Sequence, residues 1–260
     1  MRDYHVHTYR CKHARGDVED YAEVAFKNGF EVLGVSDHTP LPDGFSSDAR
    51  MGLDEMCGYV DAFDRARKKY SGLKMILGLE CEYLKRYHNF YVQEILGHWG
   101  VKYLILGQHF FHSRGEMFYA YRKPGTTSEL KAYTDHLIEG METGLFDFVA
   151  HPDVFGVFYA PWDGEAKACS RSIIGAAQAL KMPLEINGYG FRKGKGLYGG
   201  VRRYQYPLRP FWELASQYNI EVVINSDAHK PEDVVFQREA TEMAGEMGLQ
   251  IADLSTLEKR

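Results

Sequence analysis

Residues 3–13 read Asp-Tyr-His-Val-His-Thr-Tyr-Arg-Cys-Lys-His and include the end of the first predicted strand. Side chains two positions apart on a strand point to the same side, so His5 and His7 project together from the strand end. Cys11 and His13 follow within one loop and add sulfur and nitrogen donors. The stretch predicts a metal-chelating pair. A lone His-x-His is equally often packed or solvated, so the rest of the chain decides between these interpretations.

The composition is that of a mildly acidic chain without a basic block. Lys and Arg number 31 against 36 Asp and Glu, a net charge of −5, so nucleic acid is not expected as a partner. No apolar stretch approaches the length of a membrane span and no signal segment follows Met1, which predicts a cytoplasmic protein with no membrane partner. The four cysteines form no Cys-x-x-Cys pair, which favours reduced thiols.

Short apolar, β-branched runs alternate with longer amphipathic ones, the pattern of β/α units around a parallel sheet. Helices are predicted after Asp17, over residues 53–70, and from Thr127 or Ser128 through Met141. The seven predicted strands lie near residues 2–6, 32–36, 75–80, 102–107, 146–150, 183–187 and 221–225.

No linker or low-complexity tract interrupts this alternation, so residues 1–260 are predicted to form one domain. The stretch 188–206 is too long for an ordinary turn between a strand and a helix. Its Gly, Arg and Tyr content indicates a functional loop rather than a linker.

Residue types that bind metals follow nearly every predicted strand. In a parallel barrel the carboxyl ends of all strands share one rim, which is where active sites of this architecture lie. Nine donors exceed the four-coordinate shell of one zinc ion, so two or three ions are predicted, with a carboxylate able to bridge them. The nine candidate ligands are His5, His7, His13, His38, Glu80, His109, His151, Asp227 and His229.

Glu80 competes with Glu82 as the ligand from the third strand. Both side chains point to the same side of a strand, whereas Cys81 points away. Glu80 is preferred because it directly follows the apolar run, and the alternative is that Glu82 binds the metal while Glu80 is buried and paired. The remaining histidines are assigned structural or surface roles, with some reserve for His112, three residues after His109.

These motifs together resemble the PHP (polymerase and histidinol phosphatase) superfamily, and within it the stand-alone histidinol-phosphate phosphatases. The resemblance covers nearly the whole chain. It implies an α/β fold, a distorted seven-stranded β/α (TIM-like) barrel, with a trinuclear metal centre. The motifs are His5-Val-His7-Thr, Cys11-Lys-His13, Ser36-Asp-His38-Thr, Gly78-Leu-Glu80, Gly107-Gln-His109-Phe, Ala150-His151-Pro-Asp, Glu185-Ile-Asn-Gly-Tyr-Gly-Phe-Arg192 and Ser226-Asp227-Ala-His229.

The resemblance also implies how the ligands are shared among two to three divalent metal ions, which would be zinc, manganese or iron. Glu80 would bridge the first ion to the second. The nitrogen-rich donor set suits zinc or iron. The implied groups are His5, His7, Glu80 and Asp227 for the first ion, Glu80, His109 and His151 for the second, and His13, His38 and His229 for the third.

The implied activity is metal-dependent hydrolysis of a small-molecule phosphate monoester, L-histidinol phosphate first, giving L-histidinol and phosphate in histidine biosynthesis. Water would attack phosphorus in line, without a covalent enzyme intermediate, and the catalytic residues would be Asp227, Glu80 and Arg192. Another small phosphate ester, a nucleotide or a phosphotyrosine remains an alternative, because residues 154–166 lack the basic group expected of a histidinol phosphatase.

Substrate binding is assigned to Arg192, with Arg15 and Asp17 as weaker candidates. In the resembling family an arginine at the Arg192 position faces the substrate, and a guanidinium suits bidentate phosphate binding. Arg192 could equally be one of several solvated charges in its loop, and Asp17 could only cap its helix. An amidohydrolase is disfavoured because His109 stands where that class commonly has a bridging lysine, and an inert metal-binding module is disfavoured by the complete donor set.

Overall fold

The computed structural model describes residues 1–121 and 124–259. Eight of its strands form one parallel sheet in the order β1-β2-β3-β4-β7-β8-β11-β12, and two antiparallel hairpins, β5–β6 and β9–β10, lie outside that sheet. The strands are β1 (Arg2–Asp3), β2 (Val32–Val35), β3 (Lys74–Cys81), β4 (Tyr103–Leu106), β5 (Phe110–Ser113), β6 (Glu116–Tyr119), β7 (Phe148–Val149), β8 (Leu184–Asn187), β9 (Gly196–Tyr198), β10 (Val201–Arg203), β11 (Glu221–Asn225) and β12 (Gln250–Ile251).

Helices connect the parallel strands. Asp17 caps α1 in a reciprocal capping box with Asp20, and Thr126 caps α4 in another with Glu129, so the predicted starts of these helices are correct to within a residue or two. In the described part of the chain no helix is long and apolar enough to span a bilayer. The helices are α1 (Val18–Lys27), α2 (Met56–Lys69), α3 (His88–Phe90, continued by a π-helical segment Tyr91–His98), α4 (Thr127–Glu142), α5 (Gly164–Leu180), α6 (Gly188–Arg192), α7 (Arg209–Ala215) and α8 (Arg238–Glu246).

The sheet curls until β1 approaches β11, and side chains complete the closure. Asn225 Oδ1 accepts a hydrogen bond from Tyr4 N at 2.8 Å, and Asp3 Oδ2 accepts one from Ser226 N at 3.0 Å. Above them His7 N donates to the carbonyl of residue 228 at 2.9 Å. The barrel is therefore closed by polar side chains and a single bridge rather than by a full ladder.

All seven predicted strands are present, but the sheet has an eighth that the sequence did not reveal. β12 pairs in parallel with β11 through two residues, both exposed. A two-residue exposed strand leaves no apolar run in the sequence, so periodicity could not detect it. The two hairpins, whose strands contain three or four residues, were also not predicted.

Tyr103 fills the barrel interior below the strand ends. Its ring lies against Gly34 and Gly78, and its hydroxyl donates to the Tyr4 carbonyl at 2.6 Å. A Cβ added at Gly78 would lie 2.2 Å from the Tyr103 ring carbon Cζ. Because this interior is packed with apolar side chains, only the carboxyl-terminal rim is left for a site.

Replacing Gly78 with Ala should destabilise the fold by roughly 1–3 kcal/mol, because the new methyl group overlaps the Tyr103 ring. The matched control is Gly58→Ala in α2, where an added Cβ meets nothing within 4 Å and should leave stability unchanged or slightly higher. Urea unfolding of both variants measures the difference. Equal stability of the two variants would contradict the close approach at Gly78.

Candidate metal centre and its cavity

All nine predicted donors meet at the carboxyl-terminal rim of the barrel, and Glu80 lies at their centre. Its Oε2 is 3.0 Å from His38 Nδ1, and its Oε1 is 3.1 Å from His151 Nε2. The carboxylate is almost completely buried. The imidazoles with a ring nitrogen within 3.8 Å of a Glu80 oxygen are those of His5, His7, His38, His109 and His151.

Asp227 connects the remaining donors to this centre. Its Oδ1 lies 3.2 Å from His7 Nε2 and 3.5 Å from His229 Nδ1. His229 Nε2 in turn lies 3.1 Å from His13 Nε2, and His13 is the most exposed of the nine side chains. The structure thus brings together residues that are more than 200 positions apart in the sequence.

Two of the donors occupy unusual backbone conformations at the strand ends. His151 has φ of 31° and Asp227 has φ of 49°, both in the left-handed region that non-glycine residues rarely adopt. Such conformations cost about 1–3 kcal/mol each and are found where the surrounding structure holds a functional side chain in place. For Asp227 the holding group is Arg192, which donates to the carbonyls of Ser226 at 2.7 Å and of Asp227 at 2.9 Å.

Two buried glutamates orient imidazoles of the cluster by contacting their Nδ1 atoms. Glu185 Oε1 lies 2.8 Å from His5 Nδ1, and its Oε2 accepts from His151 N at 3.1 Å. Glu82 Oε1 lies 2.7 Å from His109 Nδ1. A carboxylate at Nδ1 fixes the tautomer that leaves Nε2 unprotonated and turned toward the cluster, as in many metal-binding histidines.

These contacts bear on the choice between Glu80 and Glu82. Both reach the rim as strand parity requires, but Glu80 faces the cluster while Glu82 supports His109 and accepts from its backbone nitrogen at 2.8 Å. The supporting role of Glu185 was missed by sequence reasoning. Its signal was present, since Glu185 precedes Asn187 at the end of β8 with the same parity as the other rim residues.

The electrostatics of the cluster favour the ligand forms of its carboxylates. Burial would raise the pKa of Glu80, but the imidazoles of His38 and His5 hold it well below its usual range. Burial would likewise raise the pKa of Asp227, but the imidazoles of His5 and His7 lower it well below its usual range. Burial lowers the pKa of His38 well below its usual value, so that ring is neutral. Anionic carboxylates and neutral imidazoles are the forms that bind divalent cations.

The donor set fits more than one divalent ion. Asp227 Oδ1 is buried and accepts no hydrogen bond from any described residue. His5 Nε2 faces His7 Nε2 at 3.0 Å, and a cation bound there would satisfy the lone pairs of both nitrogens. Three groups with ligand atoms within 4.8 Å of one another share members, which suits bridged ions. They are His5, His7 and Glu80; His38, Glu80 and His109; and His7, His38 and His229.

Cys11 lies in a further group with His13 and His229, as its position in the sequence suggested. Burial raises the pKa of the Cys11 thiol to about 12. A protonated thiol is a weak ligand, so the nitrogen and oxygen donors dominate the centre.

The three residues predicted to bind substrate all make other contacts in the structure, and none of them lines the cavity. The Arg192 guanidinium is directed away from the cavity because its donors are used by two backbone carbonyls and its Nε lies 3.4 Å from Asp233. Arg15 forms an ion pair with Glu232 on the surface, with 63% of its side chain exposed. Asp17 caps α1 and pairs with Arg10. His112, held in reserve as a ligand, is exposed on β5 away from the cluster.

A cavity of about 400 Å³ opens above the donors. Its upper wall is largely aromatic, and the loop over 188–206, predicted to be functional, contributes three of its side chains. Sequence reasoning did not identify this wall, because aromatic residues in loops more often pack against the core. The described wall residues beyond the donors include Phe45, Asp48, Arg50, Phe110, Tyr119, Tyr121, Tyr189, Lys193 and Tyr206.

Comparisons with known proteins agree with this geometry. Residues 3–188 match the family model described as PHP domain. A relative from Deinococcus radiodurans, named probable histidinol-phosphatase, is 29% identical over 90% of this chain and 88% of its own.

Two solved structures share the fold. A candidate histidinol phosphatase from Listeria monocytogenes superposes with a TM-score of 0.75 at 22% identity over 92% of this chain and 99% of that one. A histidinol phosphate phosphatase from Lactococcus lactis, in complex with zinc, L-histidinol and phosphate, gives 0.72 at 15% identity over 98% of this chain and 97% of that one. The predicted distorted TIM-like barrel is confirmed, with eight strands in place of seven.

Replacing Glu185 with Gln should weaken divalent metal binding by roughly 10–100-fold, because His5 loses the carboxylate that fixes its tautomer. The matched control is Glu221→Gln at the exposed start of β11, which should bind metal as the wild type does. Competition with a chromogenic chelator measures both affinities. Unchanged metal affinity in the Glu185 variant would show that the carboxylate does not orient the ring.

Proposed function

Because the chain belongs to the PHP domain family, we propose that it is a metal-dependent phosphatase that hydrolyses L-histidinol phosphate to L-histidinol and inorganic phosphate, a step of histidine biosynthesis. The observation that carries the proposal is the convergence of nine donors around Glu80 beneath an open cavity. The names of the relatives from Deinococcus radiodurans and Lactococcus lactis support the choice of substrate. Four cysteines without a disulfide fit a cytoplasmic location.

The proposed cofactors are two to three divalent ions, zinc, manganese or iron. When bound, such ions neutralise the phosphate oxygens and lower the pKa of water. Glu80 would join two of the ions, since its two oxygens face different imidazoles. The ligands would be divided as His5, His7, Glu80 and Asp227; Glu80, His109 and His151; and His13, His38 and His229.

Asp227 has the geometry of a proton acceptor beside the phosphate. Asn187 Nδ2 donates to its Oδ2 at 3.0 Å, which leaves Oδ1 without a hydrogen-bond donor among the described residues. Because Oδ1 would bind a cation, the proton that an attacking water loses would pass to the other carboxylate oxygen, Oδ2. Arg192 holds the backbone of this residue, so its proposed part in catalysis is positioning rather than substrate contact.

The cavity mouth favours a planar, cationic leaving group. Phe110 and Tyr119 stack with ring centroids 4.6 Å apart, and Phe45 meets Phe110 edge to face at 4.9 Å. Asp48 adds a carboxylate to the same wall. The imidazole and ammonium of L-histidinol match an aromatic wall with an acid. A nucleotide or a phosphotyrosine also presents a ring, and these remain the alternative substrates.

The substrate is tested by phosphate release from L-histidinol phosphate, AMP, phosphotyrosine and p-nitrophenyl phosphate. We expect kcat/KM for L-histidinol phosphate to exceed the others by about 100-fold or more, because a site built to pair with polar groups rejects ligands that lack them. Treatment with a chelator should abolish turnover, and zinc, manganese or iron should restore it. Equal rates on all four esters would exclude the proposed substrate, and chelator-resistant activity would exclude the proposed chemistry.

The variants His7→Ala and Asp227→Ala should each lower kcat by roughly 1000-fold or more, since each removes a donor shared within the cluster. Circular dichroism should remain that of the wild type, because the apolar core lies below the rim. His112→Ala, an exposed histidine outside the cavity, is the matched control and should keep full activity. Full activity in either cluster variant would remove the site assignment.

A further inference from the structure

The ammonium of Lys193 lies in a cage of three tyrosine rings at the upper wall of the cavity. Its Nζ is 4.4 Å from the ring centroid of Tyr189, 4.8 Å from that of Tyr121 and 5.0 Å from that of Tyr206. It also donates a hydrogen bond to the Tyr206 hydroxyl at 3.0 Å. The cage fixes the end of a flexible side chain, while much of the lysine remains accessible from the open cavity.

The same three rings contact the metal-binding imidazoles. Each tyrosine therefore has Lys193 on one side and a member of the donor cluster on another, so the ammonium lies about one aromatic ring away from the cluster. Lys193 and eight of the nine donors line the same cavity, so an anionic ligand within it could contact both. The ring pairs are Tyr189 with His229 at 4.7 Å, Tyr121 with His109 at 5.8 Å and Tyr206 with His151 at 5.8 Å between centroids.

Among the described residues, the other cation of the cavity wall already has partners. Within residues 1–121 and 124–259, the lysine and arginine side chains of the cavity wall are Arg50 and Lys193. Arg50 is almost fully buried, donates to the Thr39 carbonyl at 3.1 Å and lies 3.6 Å from Glu82. Lys193 forms no ion pair within 4.0 Å with a carboxylate of these ranges. It is the wall cation that is free to pair with an anionic ligand.

The charge state of Lys193 is compatible with anion binding. Desolvation by the surrounding rings lowers its pKa to about 8, and the charge of Asp227 opposes that shift. The side chain is therefore largely protonated at neutral pH. An ammonium with reduced solvation and no carboxylate partner gains more from a phosphate oxygen than a solvated surface lysine does.

We propose that Lys193 binds the substrate's phosphate group, in the role that the family resemblance assigned to Arg192. Its Nζ would donate to a non-bridging phosphate oxygen from the tyrosine-lined wall of the cavity. This proposal rests on the proposed phosphatase function. The two neighbouring residues would then have different roles. Arg192 positions Asp227 by donating to its backbone carbonyl, and Lys193 would contact the ligand.

The test measures inorganic phosphate binding to the metal-loaded protein by titration calorimetry, together with KM and kcat for L-histidinol phosphate. The variants are Lys193→Met, Lys193→Arg and the matched control Lys195→Met, whose exposed ammonium lies over Tyr204 and outside the cavity wall. Lys193→Met should weaken phosphate binding by roughly 10–100-fold, the usual effect of losing one hydrogen bond to a charged group. Lys195→Met should bind within about twofold of the wild type.

Lys193→Arg keeps the charge and should recover most of the affinity. Unchanged phosphate binding in Lys193→Met, or an equal loss in Lys195→Met, would overturn the proposal, as would a loss in Lys193→Arg as large as in Lys193→Met. Metal content measured on each variant separates phosphate contact from metal loss. If the wild type binds phosphate but hydrolyses no monoester, the proposed function fails, while the binding constants still decide the role of Lys193.

Discussion

The structure depends on the burial of two carboxylates, Glu80 and Asp227, within a group of imidazoles. An unpaired carboxylate in a protein interior costs several kcal/mol, and the cost falls only when positive charge is placed beside it. The neighbouring carboxylates outweigh burial and raise the pKa of His5 and His7, so the two rings and the carboxylates stabilise each other. Divalent cations compete with protons for these ring nitrogens, which is why metal binding should release protons.

The same side chains close the barrel and position the site. The Asp3 carboxylate accepts from His5 N on β1's side of the seam and from Ser226 N on the other. His5 and Asp227 therefore emerge from strands that the same carboxylate holds together. Glu185 extends this arrangement, because its Oε1 accepts from Asn225 at 2.9 Å while also facing His5. A slip of one residue at the seam would turn the ligands away from each other.

The metal centre could be predicted from sequence because it depends on strand ends and parity alone. Most of the ligands stand at strand ends, and parallel strands end at a common rim whatever the details of packing, whereas His13 comes from the loop after the first strand. Which basic side chain of the long loop faces the cavity could not be predicted in this way. Arg192 ends α6 and Lys193 is its C-cap, about 100° further around the helix axis, and a helix of five residues has no periodic pattern that fixes which side faces the cavity. The short, exposed β12 and the mostly exposed β9–β10 hairpin left no apolar run either.

The cavity is arranged in layers whose chemical roles differ. The donors at the base act on the phosphate, which all monoesters share, and the tyrosines around Lys193 form the next layer. The mouth, with Phe45, Asp48 and the β5–β6 hairpin, is the part of the cavity where the proposal places the leaving group, in which monoesters differ. Phe45 and Asp48 lie in a loop without a ligand, whereas the β5–β6 hairpin begins directly after His109, so changes in that loop should disturb the donors less than changes in the hairpin. Proteins with this fold can therefore keep the same hydrolytic reaction and differ in the monoester that they hydrolyse.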